Sequence, residues 1–91
     1  MVLFTWDPAK EILNLLKHHV GFTEAKIAFD DPHRKIYFDE KHSAYEERFF
    51  CVGKINDRVM TVRFIYCHDQ VRIIGAGYWR KGRRLYEKKD D

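Results

Sequence analysis

The chain has 91 residues, of which 45% are hydrophobic, 34% charged and 15% aromatic. That length and balance fit one folded domain over residues 1–91 and exclude a disordered chain, a repeat array and a collagen-like polymer. The formal net charge is +3, and the whole surplus sits at one end: residues 1–77 carry 11 cations and 11 acids, residues 78–91 six and three.

The elements follow in chain order. Residues 2–6 read as a short strand. Asp7 has the chemistry of a helix N-cap and Pro8 that of a first helical residue. Ala9, Ile12, Leu13, Leu16 and Val20 recur at helical spacing, so residues 8–19 are predicted as an amphipathic helix with those side chains inward. Lys10, Glu11, Asn14, Lys17 and His18 then form its polar side. Gly21 breaks it. Thr23 can cap a second, shorter helix with Ala25, Ala28 and Phe29 inward, stopped by Asp30-Asp31-Pro32.

Residues 35–39 read as a strand, 40–44 as a loop, 46–52 as a strand and 53–57 as a turn. Residues 58–67 alternate most clearly: Met60, Val62, Phe64 and Tyr66 on one face, Val59, Thr61, Arg63 and Ile65 on the other. After a tight connection at His68-Asp69-Gln70, residues 71–76 form the next strand. Gly75 and Gly77 mark a bend or a close backbone approach. Residues 78–88 read as a terminal helix with Gly82 as its weak point. The expected fold is α+β: a small antiparallel sheet of about four strands, two N-terminal helices and a C-terminal helix.

No run of 18 apolar residues exists to cross a membrane as a helix. Residues 1–6 are apolar but too short for a signal sequence, so a cytoplasmic location is expected. In a hairpin turning near Ile55-Asn56, Cys51 pairs near residue 61 and lies too far from Cys67 for a disulfide, so both are expected as free thiols.

From Val71 to Tyr86 there are five cations, Arg72, Arg80, Lys81, Arg83 and Arg84, and no acid. Such a surface suits a polyanion or an acidic protein, though a solvated helix face has the same composition. The sequence has no phosphate-cradling glycine loop and no serine nucleophile elbow. His18 and His19 are neighbours whose side chains diverge on a helix, so no metal and no cofactor is expected. Metal-free acid–base chemistry on RNA remains, with the 2′-hydroxyl as nucleophile and arginines stabilising the crowded phosphate. Arg72, Arg83 and Arg84 are candidates for that work. Glu47 or His42 could be the base, with Arg48 a cation beside it. Lys17, His18, Arg80, Lys81 and Tyr86 are candidate RNA contacts, and Tyr78 and Trp79 could stack on bases. Core packing, ion pairing and plain solvation are the competing roles of these residues.

The ordered set of motifs carries a further implication. It runs Phe4-Thr5-Trp6-Asp7-Pro8-Ala9-Lys10, Asn14-Leu15-Leu16-Lys17-His18, Val20-Gly21-Phe22-Thr23-Glu24-Ala25 and Phe29-Asp30-Asp31-Pro32. It continues through Glu47-Arg48, Gly53, Arg58, Val71-Arg72-Ile73-Ile74 and Arg83-Arg84-Leu85-Tyr86-Glu87. In order and spacing the chain resembles the BrnT family of type II toxin–antitoxin toxins. The resemblance implies a ribonuclease toxin with a RelE/ParE-like fold that blocks translation by cleaving RNA. It also implies a cognate, BrnA-like antitoxin, with operator DNA reached only through the toxin–antitoxin complex. Lys17, His18, Glu47, Arg48, Arg72, Arg83 and Arg84 lie in the matching motifs. The chain departs from the family pattern at His19, where the family has glycine, and at Gly75-Ala76-Gly77, where it has Ser-Ala-Arg. A second reading is therefore a non-enzymatic module that binds antitoxin and helps regulate its operon.

Overall fold

The computed structural model describes residues 2–89. Strand β1 (Leu3–Trp6) leads into helix α1 (Pro8–His18). The start of α1 is built as its sequence requires: the Asp7 carboxylate accepts the Ala9 N–H at 2.9 Å, and Pro8 opens the helix. His19 ends α1 in the left-handed region with φ 59°, and its N–H donates to the Leu15 carbonyl. Gly21, rather than Thr23, is the N-cap of α2 (Phe22–Ala25). No side chain of its own caps α2. The first N–H, that of Phe22, donates instead to Glu11 of α1 at 2.8 Å. A 3-10 turn, Lys26–Asp30, continues α2 and ends where the Asp-Asp-Pro run begins.

Four more strands follow: β2 (Lys35–Phe38), β3 (Phe49–Ile55), β4 (Arg58–Cys67) and β5 (Gln70–Gly77). The sheet order is β1-β5-β4-β3-β2. It has five strands, not four, and it is mixed, because β1 runs parallel to β5 while the other pairs are antiparallel. The α1–α2 stretch lies between β1 and the rest of the sheet in sequence, which leaves β1 free to return beside the last strand. β3 begins three residues later than the expected 46, since residues 46–48 belong to a bent loop clasped by Ser43. The Ser43 hydroxyl accepts the Arg48 N–H at 2.9 Å and donates to the Asp39 carbonyl at 2.6 Å. Cys51 lies opposite Val62, one place from expectation, and both cysteines are free thiols. Burial pushes the Cys51 thiol up to about 12, so it is inert at neutral pH.

One sheet face carries the core. Phe22, Ala25 and Ala28 pack on Cys51, Met60, Val62, Phe64 and Ile73. Gly53 permits this approach, because a Cβ there would run into the Ala28 carbonyl. On the opposite face, α3 (Arg80–Glu87) crosses β3 and β4 with Gly82 pressed on Thr61 and Val52. It starts two residues after the expected 78, since Trp79 is still extended and acts as N-cap. Its C-terminal end is tied down by Lys35, whose ammonium donates to the carbonyls of Leu85 and Lys88 at 3.2 and 2.5 Å.

The largest correction concerns α1. Its apolar stripe does not enter the core: Ile12, Leu13 and Leu16 are 59%, 60% and 71% exposed, and Asn14 is the buried residue. The Asn14 amide donates to the carbonyls of Val20 and Ala76 at 2.9 Å each and accepts the Ala76 N–H at 3.1 Å. α1 therefore docks through its polar side. Among the described residues no helix is long and apolar enough to cross a membrane.

Candidate nucleic-acid interface

α3 covers only part of the sheet face opposite the core. Alternation along the strands puts Arg63 and Ile65 of β4, Arg72 and Ile74 of β5 and Phe50 of β3 on that face. A register shift between Arg63 and Phe64 sets Arg63 opposite Gly75 and Phe64 opposite Ile73. Gly75 offers no side chain to compete. A Cβ there would stand 3.8 and 3.9 Å from Cδ and Nη1 of Arg63. The bare glycine thus borders the space the guanidinium occupies.

Two clefts open on this face and share Arg63 and Trp79. One, of about 300 Å³, also includes Asp39, His42, Phe50 and Lys81. The other, of about 270 Å³, includes Lys17, His18 and Ile74. Trp79 is held by Gly77 beneath it, where a Cβ would lie only 2.5–2.7 Å from the indole. The His18 ring meets Trp79 edge-on, with centroids 5.1 Å apart. Phe50 stacks on Tyr37 at 5.3 Å, and the Lys81 ammonium stands 5.9 Å over the Phe50 ring. His42 Nδ1 lies 3.1 and 2.9 Å from the two Asp39 carboxylate oxygens. That contact orients the imidazole through Nδ1.

The remaining candidates separate. Arg48 shares a small cleft with His42. Its Nη2 reaches Glu46 at 3.4 Å, while its buried Nε has no hydrogen-bond partner among the described residues. Glu47 is exposed in the same loop. Arg80 and Arg83 line another cleft, of about 460 Å³, with Lys54, Asp57, Arg58 and Glu87, which Trp79 also borders but Arg63 does not. Arg84 is exposed on α3. Tyr86 faces inward: its hydroxyl donates to Asp31 at 2.6 Å. Burial, then the Asp31 hydrogen bond and charge, push that phenol up to about 12. Tyr78 is similar, donating to Glu24 at 2.7 Å beneath the Arg58 guanidinium, which lies 3.7 Å from its ring centre. Burial and Glu24 raise Tyr78 to about 12 against the lowering effect of Arg58.

Sequence reasoning brought Lys17, His18, His42, Lys81 and Arg72 to this face without showing that they share it. It passed over Arg63, Phe50 and Asp39. The available signal for Arg63 was a guanidinium on the non-core phase of the most regular strand. Among the described residues no three His, Cys, Asp or Glu side chains group as metal ligands would.

A model of the family described as the ribonuclease toxin, BrnT, of type II toxin–antitoxin systems matches residues 6–82. No curated protein matches the chain.

Proposed function

The chain belongs to the BrnT family of ribonuclease toxins of type II toxin–antitoxin systems, and we propose that it cleaves RNA on the sheet face centred on Arg63 and Trp79. The observation that carries this reading is that two clefts, one bearing His42 and Lys81 and the other Lys17 and His18, meet at the same arginine and indole. A phosphodiester lying there meets cations from three elements, with an imidazole on each side.

In this reading His42, held by Asp39, takes the proton from the 2′-hydroxyl as it attacks the neighbouring phosphorus. The bond from phosphorus to the 5′-oxygen breaks, leaving a 2′,3′-cyclic phosphate. His18, on the other side, delivers a proton to the departing 5′-oxygen. Arg63 stabilises the added negative charge, with Arg72 on the adjoining strand and Lys81 on α3 supporting it. Lys17 binds a flanking phosphate, and Trp79 and Phe50 offer rings to the bases. Arg48 flanks His42, and Glu47, on the same loop, is the alternative base. Arg80, Arg83 and Arg84 serve a longer RNA that passes round α3. The protein's own cations supply the charge stabilisation, so neither metal nor cofactor is needed. Cleavage in the cytoplasm blocks translation, and the cognate antitoxin neutralises the toxin and brings the pair to operator DNA.

Cleavage of a defined RNA by the purified chain tests this. The rate is expected to be unchanged by a chelator and reduced about 10²- to 10³-fold in kcat/KM by Arg63→Ala. Arg83→Ala is expected to cost less than about tenfold, as for a screened phosphate contact. Wild-type cleavage by Arg63→Ala would sink the assignment. The second reading, an antitoxin-binding module without catalysis, draws on the missing side chains at Gly75 and Gly77. RNA left intact by a chain that binds antitoxin tightly would decide for it.

A further inference from the structure

Helix α1 is amphipathic, yet it is turned inside out. Its polar side makes its attachments: Glu11 to the Phe22 N–H, Asn14 to Val20 and Ala76, His18 to Trp79. Ile12, Leu13 and Leu16 are left in solvent on consecutive turns. An exposed apolar stripe of this regularity on so small a protein marks a surface that another molecule covers.

The charges around the stripe select the occupant. Lys10 and Lys17 border it on the cleft side. The helix has one acid, Glu11, and that carboxylate is engaged by the Phe22 N–H. A second copy of the chain fits poorly. Two-fold antiparallel pairing of α1 with itself brings the lysine borders together and sets Lys10 against Lys17 of the copy. A complementary partner has an apolar stripe edged by Asp and Glu.

We infer that the outer face of α1 is the docking surface for the antitoxin, filled by an amphipathic helix with acidic borders. The inference rests on the family assignment for the identity of the partner. Its consequence for activity rests on the proposed RNA face. Leu13, Lys17 and His18 also line the cleft that holds Arg63 and Trp79, so a helix laid on α1 stands at one bank of that face. Docking and neutralisation are then one event.

The test uses the full chain and its purified cognate antitoxin. The double variant Ile12→Ser with Leu16→Ser is expected to bind the antitoxin about a hundredfold more weakly than wild type. Lys10→Glu is expected to lose about tenfold, most of it in slower association, with the difference shrinking in high salt. Both substituted apolar side chains are in solvent, so circular dichroism and the melting temperature of the double variant should match wild type. Equal affinity of wild type and double variant overturns the inference, as does failure of wild type to bind. Sedimentation of the free chain as a dimer that the double variant dissolves assigns the face to a second copy and also overturns it. RNA cleavage by the free double variant is read separately and should equal wild type while escaping inhibition. Absence of cleavage from the wild-type chain would remove the ribonuclease reading and leave the docking result standing.

Discussion

At the scale of single residues, two polar side chains do unexpected work. Asn14 stands where helix periodicity puts a solvent-facing group, yet it is buried and makes three hydrogen bonds to backbone. Its carboxamide carries both a donor and an acceptor, so it pairs with Ala76 much as a neighbouring strand would. Asn14→Leu leaves an N–H and two carbonyls without partners, and should cost about 2–4 kcal/mol in urea unfolding. His19 is the opposite case. It holds φ 59° at the end of α1, where a Cβ is unfavourable and glycine is at ease. His19→Gly should raise stability by about 0.5–1 kcal/mol, read as a higher denaturation midpoint with unchanged slope.

At the scale of elements, glycines decide how closely layers approach. Gly82 lowers the helix propensity of α3, and composition alone marks it as a flaw. It is instead the contact point of α3 with the sheet, since a Cβ there meets the Thr61 hydroxyl. Gly82→Ala should therefore destabilise by about 1–3 kcal/mol despite its better propensity, and thermal unfolding gives the sign directly. The turn between β4 and β5 shows a related tension. His68 and Asp69 both have positive φ, 51° and 64°. That conformation matches the right-handed twist of the strands, and Asn-Gly would adopt it more readily.

At the scale of the molecule, Asp31 joins three parts of the fold. Its carboxylate accepts from the Tyr86 hydroxyl of α3 and the Lys54 N–H of β3, each through Oδ2, and from the His33 N–H through Oδ1. Burial pushes its titration up, but these hydrogen bonds, Tyr86 foremost, outweigh it and hold the carboxyl below its ordinary 3.8. A lowered folded-state value means the stabilisation is complete above the unfolded-state value. It fades as pH falls through the lowered one. Tyr86→Phe should thus cost about 1 kcal/mol at neutral pH and progressively less in strong acid, seen in urea midpoints across that range.

Much of this architecture is legible in local chemistry. Asp7-Pro8, the alternation of residues 58–67 and the Asp-Asp-Pro stop each act within a few residues, so the start of α1, the phase of β4 and the α+β class follow from the chain alone, whereas the starts of α2 and α3 depend on contacts with other elements. The motif order reached the family for the same reason: spacing survives without knowledge of contacts. The open sheet face was half visible, because Lys17 and His18 of α1, His42 of the loop before β3 and Lys81 of α3 come from three separate parts of the chain and only the packed sheet brings them round Arg63. Tyr86 has the composition of an RNA contact, but its hydroxyl is taken by Asp31, 55 residues away. The orientation of α1 lies wholly outside periodicity. A hydrophobic pattern tells which side chains share a stripe and not whether that stripe turns inward. Three hydrogen bonds between Asn14 and backbone brought close only by folding decided that, and they left the apolar side of α1 facing out.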